Sequence, residues 1–135
     1  MKLTPSMLRL YAVTDRSWSA DEADFWRRVS EAMEGGAQVV QLREKHLSHE
    51  AMLRAAERFV ALCRKCGVVS IINDDVEAAV ASGADGVHVG QEDLEAGRAR
   101  ALLGPDKLTG VSAHNVAEAL AAQAGRADYL GGGPG

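Results

Sequence analysis

Segments typical of strands and segments typical of helices alternate along the whole chain. Short runs rich in valine and isoleucine are each followed by a longer stretch whose apolar residues recur at helical spacing. Because one helix separates each strand from the next, the pattern predicts a parallel sheet covered by helices, an α/β fold. The predicted strands are 8–14, 38–43, 68–72, 85–89, 108–111 and 127–130. The predicted helices cover 25–33, 48–67, 76–82, 94–103 and a segment that begins at Asn115. For the second helix, Ser48 is the predicted N-cap and Gly67 the predicted end.

Recurring glycines indicate how these units are arranged. Gly36, Gly83 and Gly125 each end a helix just before a strand, about 45 residues apart, a spacing of two units that suits a TIM (β/α)8 barrel. A complete barrel needs at least about 200 residues. With 135 residues, we predict one domain over 1–135, a C-terminally incomplete barrel of about six strands and five helices. The alternative is an open flavodoxin-like sheet, which suits this length better.

The charge balance limits the partners to expect. The formal net charge is −4 and the sequence pI is about 5.5, so no basic surface is expected to bind nucleic acid or an anionic membrane. No signal peptide or spanning segment is recognisable, which predicts a cytoplasmic protein. Open strand edges of an incomplete barrel suggest a homo-oligomer that covers them.

Cys63 and Cys66 form C-x-x-C at the end of a helix, where packing is expected rather than redox or zinc chemistry.

The second predicted strand, in QVVQLREK, ends in charged residues. Its period-two alternation puts Gln41, Arg43 and Lys45 on one face. The other face then carries Val40, Leu42 and Glu44. An arginine fork beside a lysine suits an anion such as pyrophosphate. The alternative is a strand end emerging into solvent, with both cations paired to Glu44 or Glu50.

Acidic residues follow the third and fourth strands. Asn73, Asp74 and Asp75 end the third strand, and Glu92 and Asp93 follow the fourth. Asn and Asp favour helix N-caps, but one acid is enough for a cap. Magnesium is commonly held by one or two carboxylates, with water and substrate phosphates completing its shell. Asp74 and Asp93 are therefore candidate Mg²⁺ ligands beside the predicted anion site, with capping and solvation as the alternative.

Three further polar residues are candidate substrate contacts. His88 lies inside the fourth strand, as either a hydrogen-bonded core histidine or a substrate contact. Gln91 follows in the same segment. Ser112 ends the fifth strand, where it either contacts substrate or starts a turn. No serine or cysteine has an evident base and acid partner, so no catalytic nucleophile is predicted.

Five motifs in this order resemble the thiamine-phosphate synthase family, also called thiamine-phosphate pyrophosphorylases. They are QLREK, INDD, GADGVHVGQEDL, GVSAHN and ADYLGGGP, within a resemblance that runs from about Leu10 to Pro134. It implies a TIM-barrel transferase that joins hydroxymethylpyrimidine diphosphate to a thiazole phosphate. The products would be thiamine phosphate and pyrophosphate, formed with magnesium.

The resemblance also implies roles for individual residues. Gln41, Arg43 and Lys45 match the diphosphate-substrate segment, Asn73 a pyrimidine-side contact, Asp74 and Asp93 the magnesium ligands, and Ser112 a further diphosphate contact. A related thiazole tautomerase needs no such metal pair, so these residues favour the synthase. The family pattern continues beyond Gly135 into a lysine-containing loop and further phosphate-binding glycines. The alternative is therefore a non-catalytic protein that retains a diphosphate and magnesium half-site.

Overall fold

Six parallel strands form one sheet in the computed structural model, which describes residues 11–90, 102–104, 107–112 and 129–131. The strands are β1 (Tyr11–Val13), β2 (Val39–Leu42), β3 (Val69–Asn73), β4 (Gly86–Val89), β5 (Leu108–Ser112) and β6 (Tyr129–Gly131). The helices with printed bounds are α1 (Glu22–Glu34), α2 (His49–Cys66) and α3 (Val76–Ser82), with a 3₁₀ turn at Arg16–Trp18. The predicted α/β fold with a parallel sheet is confirmed.

The strand order follows the sequence from β1 to β6, and each strand pairs in parallel with the next. A flavodoxin-like sheet reverses its order at a switch point, so that alternative is wrong. The predicted strands agree with the described ones to within a few residues at their ends. The predicted helix at 94–103 is described at Leu102 and Leu103, which are helical. The predicted helix from Asn115, residues 8–10 of the first strand and residues 127–128 of the sixth strand lie outside the described residues.

Local signals explain where α1 and α2 begin and end. The Asp21 side chain accepts a hydrogen bond from Asp24 N (2.8 Å) and caps α1. Ser48 caps α2 as predicted, because its Oγ accepts from Ala51 N at 3.2 Å. Gly67 ends α2 with φ 69°, a left-handed conformation that glycine adopts without steric cost.

Apolar side chains pack on both faces of the sheet. Val40 and Leu42 of β2 face the helices, where they join Phe25 of α1 and Phe59 of α2 in the larger core. Alternate strand residues face the other way and form a smaller cluster of Val39, Ile71 and Leu108. The predicted alternation of β2 is therefore present. We call the face that carries Val39, Ile71 and Leu108 the inner face.

The C-x-x-C pair behaves as a packing feature of α2. Cys63 is buried in the larger core, and burial raises the pKa of its thiol to about 12, with the nearby Asp85 carboxylate as a smaller cause. Cys66 is exposed, and both cysteines are free thiols. Because the thiolate is the reactive form, a raised pKa makes the Cys63 thiol unreactive.

Candidate anion and metal site

Polar side chains line the inner face near the carboxyl ends of β1, β2 and β3. Gln41 Nε2 donates a hydrogen bond to Tyr11 Oη at 2.9 Å, and Asn73 Nδ2 donates to Gln41 Oε1 at 2.8 Å. Gln41 is 5% exposed, so its buried amide depends on these partners. The bonds link three neighbouring strands and hold Gln41 and Asn73 in one orientation.

His88 of β4 lies beside this network. It is the register partner of Asn73, which puts both side chains on the same face, and it is 7% exposed. Burial lowers the pKa of His88, and the positive charge of Arg43 lowers it further. The imidazole is therefore neutral at neutral pH, able to donate one hydrogen bond and accept another. Its role as a substrate contact stays a prediction.

The lowered pKa of His88 predicts an acid-sensitive fold. The unfolded imidazole binds a proton near pH 6.5, whereas the folded one does so at a lower pH. Between these two pH values the unfolded state binds more protons, so stability falls as the pH decreases through that window. We expect His88→Gln to remove part of the loss in unfolding free energy between about pH 7.5 and about pH 5.5. Urea unfolding at the two pH values measures this change.

His46→Gln is the matched control, because His46 is exposed and its imidazole is hydrated in both states. This variant should lose stability with falling pH as the unsubstituted protein does. A His88→Gln protein that loses just as much stability would contradict the assignment to His88.

Arg43 and Lys45 line a cleft of about 460 Å³ beyond the ends of β1 and β2. Its two walls are residues 13–17 and residues 43–47. Thr14 holds the second wall in place, since its Oγ1 accepts a hydrogen bond from Arg43 N at 3.0 Å. Within the part of the chain that the structure describes, neither cationic side chain has an ion pair. The cleft, whose lining also includes the Asp15 and Glu44 carboxylates, therefore presents two cations that form no ion pair with the described residues.

The alternative pairing of these cations with Glu44 or Glu50 is absent among the described ion pairs. Glu44 instead pairs with Arg16, at 2.6 Å between Arg16 Nη2 and Glu44 Oε2. The Glu44 side chain is 3% exposed and lines the same cleft as Arg43 and Lys45. Because β2 ends at Leu42, the predicted alternation stays a prediction for residues 43–45.

Asp74 occupies the tip of β3 in an unusual backbone conformation. Its φ is 63°, in the left-handed region, where Asp is among the better tolerated non-glycine residues. Asp75 is the residue that caps α3, because its Oδ1 accepts from Ala78 N at 2.9 Å. The exposed Asp74 carboxylate accepts a hydrogen bond from Gly90 N at 3.3 Å. Asp74 is therefore not used for the cap, and it joins the tips of β3 and β4.

Of the two predicted magnesium ligands, the structure describes Asp74. Across the described residues there is no group of three or more His, Cys, Asp or Glu side chains suited to a metal. Magnesium does not need one, because it usually takes one or two carboxylates together with water and phosphate oxygens. Asp93 and Gln91 lie outside the described residues, three residues and one residue after Gly90. Ser112 ends β5 opposite Gly131, and its side chain is also outside the description.

The sequence pattern missed part of this site. Tyr11, Thr14 and Arg16 were not singled out, although they lie in or just after β1. The available signal was their position, since the loops after the strands of a parallel barrel form its active face.

In the described ranges, no helix is long and apolar enough to cross a membrane.

The sheet and its polar rim define an α/β protein that has a candidate anion site at the carboxyl ends of parallel strands. The model of the TMP-TENI family, described as thiamine monophosphate synthase, matches residues 10–135. The chain belongs to this family, which confirms the resemblance carried by the five motifs.

Individual relatives agree with this assignment. The chain is 52% identical over 127 residues to the thiamine-phosphate synthase of Chloroflexus aurantiacus, covering 93% of this chain and 57% of the relative. It is 44% identical over 126 residues to that of Shouchella clausii, covering 93% and 60%. The solved thiamine phosphate pyrophosphorylase from Pyrococcus furiosus superposes with a TM-score of 0.83 at 35% identity, covering 95% and 61%. The chain thus spans about three fifths of the length of these relatives.

Proposed function

We propose that this protein is a transferase that joins hydroxymethylpyrimidine diphosphate to thiazole phosphate, forming thiamine phosphate and pyrophosphate with Mg²⁺. The observation that carries the proposal is the cleft in which Arg43 and Lys45 are unpaired among the described residues. The Asp74 carboxylate, which is not used for the cap of α3, follows the neighbouring strand. Relatives named thiamine-phosphate synthase support the same activity.

The proposed roles follow from the chemistry of each side chain. Arg43 and Lys45 bind the diphosphate, with Ser112 as a further contact, and stabilise the charge that develops on the leaving pyrophosphate. Asn73 contacts the pyrimidine, and the Tyr11 and Gln41 network holds it in place. His88 and Gln91 remain candidate contacts.

Asp74 and Asp93 are the proposed ligands of Mg²⁺, which would neutralise charge on the pyrophosphate when bound. The bond between the pyrimidine methylene carbon and the diphosphate oxygen breaks, and its electron pair leaves with the pyrophosphate. The thiazole nitrogen forms the new bond to the methylene carbon. Positioning and electrostatics are then sufficient, and no protein nucleophile is required.

The proposed architecture is one domain over residues 1–135 that forms part of a TIM (β/α)8 barrel. The sequential order of six parallel strands supports it, since strands follow one another in this way around such a barrel. The high TM-score with the Pyrococcus furiosus enzyme also supports it. The incomplete barrel, the homo-oligomer covering its open edges and the cytoplasmic location stay predictions.

Two measurements on the unsubstituted chain test the proposed function. Calorimetry with pyrophosphate should detect binding that depends on magnesium. Incubation with both substrates and Mg²⁺ should yield thiamine phosphate, detected by mass spectrometry. Magnesium-dependent binding without product would favour the non-catalytic half-site. Conversion of a thiazole phosphate tautomer without any need for metal would favour the tautomerase. Absence of binding and of product would overturn the proposal.

A further inference from the structure

Glu44 lies between the two proposed diphosphate-binding cations in the sequence, yet among the described ion pairs it pairs with neither. Its carboxylate is bound by Arg16 from the 3₁₀ turn that follows β1. Arg16 Nε donates to the two Glu44 oxygens at 3.0 and 2.9 Å, and Nη2 donates to Oε2 at 2.6 Å. This fork-like contact is the strong form of an arginine–carboxylate pair. The Glu44 side chain is 3% exposed, so water screens the pair weakly.

Arg16 is itself held in position from two further sides. Its Nη1 pairs with Glu22 of α1, and its guanidinium carbon lies 4.0 Å from the centre of the Phe25 ring. Glu22 in turn accepts a hydrogen bond from Trp26 Nε1 at 3.0 Å. The arginine is therefore fixed between the first turn of α1 and the segment after β2 before any ligand binds.

The position of Glu44 creates a problem for anion binding that Arg16 solves. Without a partner, a carboxylate adjacent in sequence to Arg43 and Lys45 would pair with one of them and compete with a phosphate group. Arg16 occupies that competitor, because it binds the Glu44 carboxylate from the opposite wall of the cleft.

We propose that Arg16 is a positioning residue that sequesters Glu44, so that Arg43 and Lys45 remain available to bind diphosphate. This inference rests on the proposed function. Arg16 need not touch the substrate to act in this way. The alternative is a link that stiffens the two walls of the cleft. The two roles predict different pyrophosphate affinities for a variant in which both Arg16 and Glu44 are neutralised. Sequestration predicts that removing Glu44 rescues the loss of Arg16, whereas a structural link predicts no rescue.

Calorimetric titration with pyrophosphate and Mg²⁺ separates the two roles. We expect Arg16→Gln to weaken binding by about tenfold, because Glu44 is then released to pair with the binding cations. Arg16→Gln combined with Glu44→Gln should return the affinity to within about threefold of the unsubstituted protein. Glu44→Gln alone should bind at least as tightly as the unsubstituted protein. It keeps an acceptor for Arg16 and keeps the test valid if Arg16→Gln does not fold.

Arg27→Gln is the matched control, because it removes one positive charge from an exposed arginine of α1 that pairs with Glu31 at 2.6 Å. Its affinity for pyrophosphate should be unchanged, and an equal loss there would overturn the inference in favour of a general charge effect. Unchanged binding by Arg16→Gln, failure of the double variant to recover, or weaker binding by Glu44→Gln would each overturn it while the proposed function stands. If the unsubstituted protein does not bind pyrophosphate, the proposed function fails and the inference fails with it.

Discussion

Replacing Asp74 with asparagine is expected to weaken magnesium-dependent pyrophosphate binding by on the order of 100-fold, about 2.7 kcal/mol, with little effect on folding. The substitution removes the charge that a magnesium ligand needs. Asparagine tolerates the left-handed conformation of this position, at φ 63°, as readily as aspartate does. Its amide oxygen also remains able to accept the hydrogen bond from Gly90 N. Calorimetric titration of pyrophosphate with and without Mg²⁺ measures the effect.

The neighbouring residue offers a matched control. Asp75→Asn makes the same charge change one position later, and asparagine is as good an N-cap as aspartate. Because the Asp75 side chain is directed to Ala78 N at the start of α3, its loss of charge should change the affinity by less than about threefold. Equal losses of affinity in the two variants would mean that Asp74 acts only through the overall negative charge of the protein. Its assignment as a magnesium ligand would then be wrong.

Replacing Gly86 with alanine is expected to destabilise the fold by about 3 kcal/mol. A Cβ atom at this position would lie 2.4 Å from the Leu108 carbonyl oxygen and 2.7 Å from Leu108 Cβ. Leu108 is fully buried on the inner face, and its backbone is paired with β4, so it cannot move away as a surface side chain would. The sheet must instead separate between β4 and β5. Urea denaturation measures the change in unfolding free energy.

Gly67→Ala separates this collision from the general cost of replacing glycine. Gly67 has φ 69° at the end of α2, and an added Cβ would meet nothing within 4 Å. Alanine should therefore cost about 1 kcal/mol there, from the left-handed conformation alone. If the two variants lose similar stability, the close approach of β4 and β5 at Gly86 is not a constraint on the fold.

Much of the local structure could be predicted because its signals act over a few residues. The alternation in QVVQLREK correctly put Gln41 on one face and Val40 on the other, since side chains in a strand always alternate. Ser48 caps α2 and Gly67 ends it as predicted, because both signals are local hydrogen-bond and backbone preferences. The motifs were sufficient to indicate the family, which the family model confirms.

The choice between acids at the end of β3 shows where sequence reasoning stops. Asn73, Asp74 and Asp75 are all capable of capping a helix, so the sequence left the capping residue open. In the structure Asp75 takes this role and Asp74 adopts a left-handed conformation beside Gly90. That outcome depends on where β4 lies relative to β3, which is a contact between separate segments.

The sequence by itself determined the alternation of strands and helices, the two faces of β2, both ends of α2 and the family. These depend on residues that are close together in the chain. Tertiary structure alone decided the sequential order of the sheet, the network joining Tyr11, Gln41 and Asn73, and the pairing of Arg16 with Glu44. Each of these joins side chains or strands 15 to 32 residues apart, and their energies arise after folding has brought distant segments together.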